Sequence, residues 1–170
     1  MNLAEHLVEH DVWLTGRMLD RAAELPDDVL DRPITVSVGI VDDDPTIRRL
    51  LHNLVRSKER WGANLTGSVY VESHDETVEA MRARWAAAGP YLAAVRRIAA
   101  AGEWDTTVVD ATCEPPRTVS AGGAVAHLLT FSAYRRTILV GAFEAAGVTD
   151  FGFGDPMRFA DERHPDRPVD

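Results

Sequence analysis

One cysteine, Cys113, stands in the 170 residues. That excludes an internal disulfide framework and a cysteine-built zinc site. Positive charge is also scarce: 18 Lys and Arg face 27 Asp and Glu, a net charge of −9. A phosphate backbone or an anionic membrane surface is repelled over most of such a surface, so neither nucleic acid nor membrane is expected as a partner. No apolar run approaches the roughly 20 residues of a membrane span, and MNLAEHLVEH has neither the basic nor the apolar region of a secretory leader. A cytoplasmic location is expected. Lysine is nearly missing too, since Lys58 is the single one among the basic residues. Beside the abundant alanine this reads as codon usage. Internal repeats and low-complexity tracts are lacking as well.

What is present is 45% hydrophobic sequence, enough for one domain with a core. Four helical stretches are separated by breaks rich in Pro, Gly and Asp. The first runs over about 2–24, with Leu3, Leu7, His10, Leu14 and Met18 at helical spacing, and stops at Leu25-Pro26. A long loop over 25–44 follows. Asp44 as N-cap and Pro45 in the first turn open the second helix, 45–65. The third begins at Asp75 and reaches about Ala101, with a kink or an opened turn at Gly89-Pro90. After a possible extended piece, WDTTVVDAT, the fourth starts near Thr118 and ends at Gly147. The pattern predicts an all-α four-helix bundle with long crossover connections, residues 1–150. A C-terminal tail, 151–170, then packs on the bundle or is partly disordered.

The fourth helix has three faces. Val125, Leu128, Leu129, Ser132, Leu139 and Phe143 share one, and His127, Phe131, Tyr134 and Ile138 another. Small residues, Ala126, Thr130, Ala133, Thr137 and Gly141, form the third. A helix apolar or small on all sides is either deeply buried or shared with a second subunit, and a homodimer through the small face is expected.

Three motifs now stand in order along the chain. His10-Asp11-Val12-Trp13 is followed by Arg17-Met18-Leu19-Asp20; Leu50-Leu51-His52 precedes Glu59-Arg60-Trp61; and His127-Leu128 leads to Arg135-Arg136-Thr137. Together they resemble the DinB/YfiT-like superfamily, bacterial four-helix bundles that include metal-dependent hydrolases and related thiol transferases and isomerases. In that family the first helix carries H-D-x-W, the second L-x-H-x-x-x-x-E-x-x-W, and the last H-V-x-x-H-x-x-x-H. The resemblance implies a divalent metal, nickel or zinc, held by the second-helix histidine and two histidines one turn apart on the last helix.

Carried onto this chain, those ligands are His52, Phe131 and Arg135. Phenylalanine has no lone pair to give and arginine stays protonated, so two of three ligands are lost. The reading favoured is a protein that binds a small molecule or partner in an inter-helix pocket with the metal site lost. Its pocket candidates are His10, Trp13, His52, Glu59, His127, Phe131, Tyr134 and Arg135, with Arg135 pairing with a ligand carboxylate, Glu59 or another bundle acid. The alternative is a metal-dependent hydrolase or thiol transferase whose metal moves to His10, His52 and His127. A metal-free enzyme using Cys113, or His52 with Glu59, is a third reading. About 10 Å of helical rise separates the latter two, and Cys113 has no activating neighbour evident in the sequence, so it reads as a small, partly buried thiol.

Overall fold

The computed structural model describes residues 2–35, 45–87, 89–152 and 154–163. Among these the chain is mostly helical, with one small two-stranded sheet. Helix α1 spans Leu3–Ala22 and opens on a capping box: the Asn2 side chain accepts from the Glu5 amide, and the Glu5 carboxylate accepts from the Asn2 amide. A short α2, Asp27–Leu30, sits in the segment expected to be all loop. Helix α3, Ile47–Thr66, is capped by Thr46, whose Oγ1 accepts from the Arg49 amide at 3.1 Å. The expected cap, Asp44, lies outside the described residues. Gly67, at φ 70°, ends α3 in the left-handed conformation that glycine tolerates.

The expected third helix is two. Helix α4, Val78–Ala86, is capped by Thr77, and α5 covers Gly89–Ala101. Pro90 has no amide to continue the ladder of α4 and its ring clashes with the preceding turn, yet it suits the first turn of a new helix. Beyond α5, β1 (Thr107–Asp110) pairs antiparallel with β2 (Arg117–Ser120), with Thr107 opposite Ser120 and Asp110 opposite Arg117. The extended reading of 104–112 holds for Thr107–Asp110 alone, and the all-α expectation missed its partner strand. The β-branched Thr118 and Val119 pair with β1 instead of starting a helix. Helix α6 begins only at Ala121 and runs to Ala145, with the Ser120 hydroxyl accepting from the Gly123 amide. In the tail, Phe151 and Phe159 are buried and α7, Pro156–Arg163, packs on α1.

Helix α1 packs on α4, α5 and α6, and α3 on the same three helices. Two apolar clusters result. One gathers Leu14, Met18, Leu51, Leu54, Met81, Leu139 and Phe143. The other gathers Val8, Trp61, Leu65, Tyr91, Val95, Val125 and Leu128. Each fully buried leucine or valine contributes about 1.5–3 kcal/mol. On α1 the buried stripe is Val8, Asp11, Leu14, Thr15 and Met18, whereas Leu3 and Leu7 of the expected stripe are exposed. Choosing positions by hydropathy passed over the polar residues of that face. The small-residue face of α6 is exposed along Ala126, Thr130, Ala133, Thr137 and Gly141, so α6 is not the most enclosed helix.

Candidate functional site

Between the two apolar clusters, three helices each place a charged side chain in the interior. Asp11 of α1 is 0% exposed, Lys58 of α3 1% and Arg136 of α6 7%. On α1, Asp11 lies between Val8 of one cluster and Leu14 of the other; on α3, Lys58 lies between Val55 and Trp61; on α6, Ser132 and Arg136 lie between Leu128 and Leu139. The result is a polar layer across the middle. An Arg136 Nη1 proton is donated to Asp11 Oδ1, and Lys58 Nζ donates to Ser132 Oγ while standing 3.0 Å from Asp11 Oδ2. That second contact is a charge contact without hydrogen-bond alignment, since Asp11 Oδ2 has no hydrogen-bond partner.

One carboxylate therefore serves two cations in a dry interior, which is unfavourable for both cations to keep. Burial, reinforced by the field of Arg135, pulls the Lys58 amine well below the ordinary lysine range. Burial lowers Arg136 as well, only to about 10. The layer is an Asp11 and Arg136 ion pair beside a Lys58 amine whose charged form burial disfavours.

A cavity of about 290 Å³ opens where α4 gives way to α5, bordered by Ala87 and Pro90 at the break. Lys58, Glu59, Tyr70, Arg84, Trp85 and Tyr91 also line it. Four of these carry buried polar atoms without a hydrogen-bond partner: Glu59 Oε2, Tyr70 Oη, Arg84 Nε and Nη2, and Tyr91 Oη. Each such atom costs roughly 1–3 kcal/mol. Glu59 Oε1 lies 3.4 Å from Arg84 Nε, an ion contact that lacks hydrogen-bond alignment. Burial raises the Glu59 carboxyl, with Arg84 opposing, and burial raises Tyr91. The wall is apolar on one side, through Val55, Val71 and Trp85. It is a pocket with an acid, two phenols, a guanidinium and an amine.

The eight pocket candidates named by the sequence do not share one place. Glu59 lines this cavity. His10 lines a separate cavity of about 240 Å³ with Arg136, donates from Nε2 to the Gly154 carbonyl at 2.7 Å, and meets Phe159. Trp13 packs on the same Phe159. Buried His52 has Nδ1 without a partner; burial lowers its pKa, and Glu76, Arg84, Arg49 and Arg56 are the charges around it. His127 is exposed, not bonded into a neighbouring helix as its face suggested, and stacks between Trp61 and Phe131, whose ring in turn meets Tyr134. Arg135 is half-buried and its charge acts on Lys58 and His127. The Glu59 carboxylate is met by Arg84 of α4, and the α6 arginine held by Asp11 is Arg136.

The metal that the sequence resemblance implies does not fit these residues. At the mapped positions the Phe131 ring lies on His127 with centroids 4.3 Å apart, and the positive charge of Arg135 acts on His127. His10, His52 and His127 have different neighbours on different helix faces. Among the described residues no group of three or more His, Cys, Asp or Glu is placed to hold a metal ion. Cys113 does have neighbours that sequence did not reveal: its thiol donates to Asp110 Oδ2 at 3.4 Å and Arg60 Nη2 is 3.8 Å from the sulfur. Burial alone would raise Asp110, but bonds from Thr112 and Arg60 outweigh it and hold that carboxyl far below the usual range. This is the lock between the hairpin and α3.

Sequence reasoning missed Asp11, Lys58, Arg136, Tyr70, Arg84 and Tyr91. A signal existed for three of them: Asp11, Lys58 and Arg136 each stand three or four residues from buried apolar neighbours on the same helix. Compared with family models, curated proteins and solved structures, the chain shows no match.

Proposed function

We propose that the protein is a four-helix bundle of the DinB/YfiT-like kind that binds a small molecule in the cavity between α3, α4 and α5, the family's metal site having been lost. The motif order in the sequence supports the family, and the packing of α1, α3, α4 with α5, and α6 is compatible with such a bundle. One observation carries the binding function. Four cavity-lining side chains, Glu59, Tyr70, Arg84 and Tyr91, present buried polar atoms with no hydrogen-bond partner in the protein. A site built to hydrogen-bond a ligand holds such groups ready, at a cost in stability. The ligand class this wall suits is a compact molecule with an aromatic or aliphatic body and one or two polar oxygens. In this reading the protein works in the cytoplasm as a homodimer through the exposed small-residue face of α6.

The test is ligand-observed NMR with a set of fragment-sized aromatic aldehydes, phenols and benzamides. Saturation transfer is expected for members of the set, and Ala63→Phe, which fills the cavity from α3, should abolish it. Binding that survives in the Ala63→Phe protein would place the ligand elsewhere and overturn the reading.

A further inference from the structure

Arg136 is held at one end of its guanidinium only. An Nη1 proton goes to Asp11 Oδ1, while Nε and Nη2 donate to no acceptor in the protein and stay in contact with solvent. The side chain is otherwise enclosed, at 7% exposure, and borders the 240 Å³ cavity between α1, α6 and the tail. Nε and Nη2 lie on the same side of a guanidinium, and their parallel N–H groups match the two oxygens of a carboxylate. An enclosed arginine that keeps this edge unbonded gives up hydration without a full return in hydrogen bonds.

The rest of the cavity suits the same ligand. No acid is among its described lining residues, so nothing in the wall competes for the guanidinium or repels an anion. His10 is fixed by the bond it donates to the Gly154 carbonyl, and the charge of Arg136 acts on its ring. Leu7, Leu14, Leu129 and Val140 supply an apolar wall. The volume falls below the roughly 300–1,000 Å³ of sites for drug-sized molecules, which limits the occupant to a small one. Behind the cavity, one carboxylate, Asp11, faces two basic groups, Lys58 and Arg136. A second carboxylate on the free edge of Arg136 offsets that shortage of negative charge.

We infer that this cavity is a second binding site, and that its ligand is a short-chain aliphatic carboxylate paired side-on with Nε and Nη2 of Arg136. It stands apart from the cavity at the α4 to α5 break and needs nothing from the function proposed there. The carboxylate accepts from both N–H groups while Nη1 stays with Asp11, and the alkyl chain lies against the four apolar side chains. No covalent bond is made or broken.

Sodium butyrate is the probe, with butyramide and formate as its uncharged and chainless counterparts. The arginine Nε–Hε resonances of nitrogen-15-labelled protein are followed at constant ionic strength, and the Arg136 signal is the one missing from Arg136→Lys. Butyrate should shift that signal saturably, with a Kd on the order of 1 mM or below. Butyramide should leave it in place, and formate should bind about tenfold or more weakly for want of buried methylenes. Ala133→Phe, at an exposed position of α6 that lines the cavity, should abolish the shift, whereas Ala63→Phe in the other cavity should keep it. An unmoved Arg136 signal, an equal response to butyramide, equal affinity for formate, or a shift that survives Ala133→Phe overturns the inference. If Arg136→Lys does not fold, triple-resonance assignment identifies the signal and Ala133→Phe decides. Loss of the butyrate shift in Ala63→Phe alone would put the carboxylate in the other cavity, which also overturns it.

Discussion

The two apolar clusters and the polar layer between them are built on the same helices by opposite rules. In the clusters, Leu14, Leu51, Leu54, Val95 and Phe143 are interchangeable in kind: each adds burial, and truncating one costs transfer free energy and a cavity. In the layer, Asp11, Lys58 and Arg136 depend on one another, because a buried charge is tolerable only while its partner is present. The layer also lies beside the α4 to α5 break, where the cavity opens. The middle of this helical fold is therefore organised for something other than stability, since an apolar layer would hold the helices at least as well.

Asp11→Ala has the largest expected effect, because it strands Arg136 without its carboxylate. It should cost about 3–5 kcal/mol in urea unfolding. Leu51→Ala, in the apolar cluster, should cost about 2–4 kcal/mol. The layer reading loses its footing if Asp11→Ala proves the milder of the two by a clear margin.

Lys58→Met sharpens it further. The substitution keeps the volume and removes an amine whose charged form burial disfavours, so stability at pH 7 should stay within about 1 kcal/mol of the original. The pH dependence has a definite sign. The folded pKa of Lys58 is depressed, so the unfolded chain binds the extra proton and the stability linked to this group rises with pH towards the unfolded value near 10.4. It is lost as pH falls through the folded value. The original protein should therefore gain stability relative to Lys58→Met between pH 7 and 10. A flat difference over that range means that Lys58 is charged in the folded state.

The smallest effect concerns the cavity wall. Tyr91→Phe deletes a buried hydroxyl that has no partner and should raise stability by about 0.5–1 kcal/mol while weakening fragment binding about fivefold or more, the equivalent of one lost hydrogen bond. A thermal melt and an NMR titration read the two effects. Loss of stability together with unchanged binding would make Tyr91 a packing residue.

Much of the helical framework was legible in the sequence. The stop at Leu25-Pro26, the start of α3 near Pro45, the end of α6 at Gly147 and the interruption at Gly89-Pro90 are local effects of proline and glycine on the backbone. Strand β2 was not legible, because Thr118-Val119-Ser120 carries both a helix-start signal and β propensity, and pairing with Thr107–Asp110 decides between them. The candidate site was legible only in part. Glu59 was recognised, whereas His10 and Trp13, expected in the same pocket, meet Phe159, and His127 and Phe131 stack on each other, none of them lining this cavity. Lys58 was noticed for its rarity and assigned to codon usage; its place in the interior appears only when α1, α3 and α6 are brought together.

By itself the sequence determined most of the proline- and glycine-marked helix boundaries, the lack of an internal disulfide, and the presence of Phe131 and Arg135 at steps of four after His127. Those are properties of single residues and their near neighbours. Tertiary structure decided which polar residues share the interior, that Arg136 and not its neighbour Arg135 meets Asp11, and that the break between α4 and α5 lies over Lys58 and Tyr91. Register between helices sets those meetings. It depends on the packing of all the helices at once, and a periodicity read along one helix does not contain it.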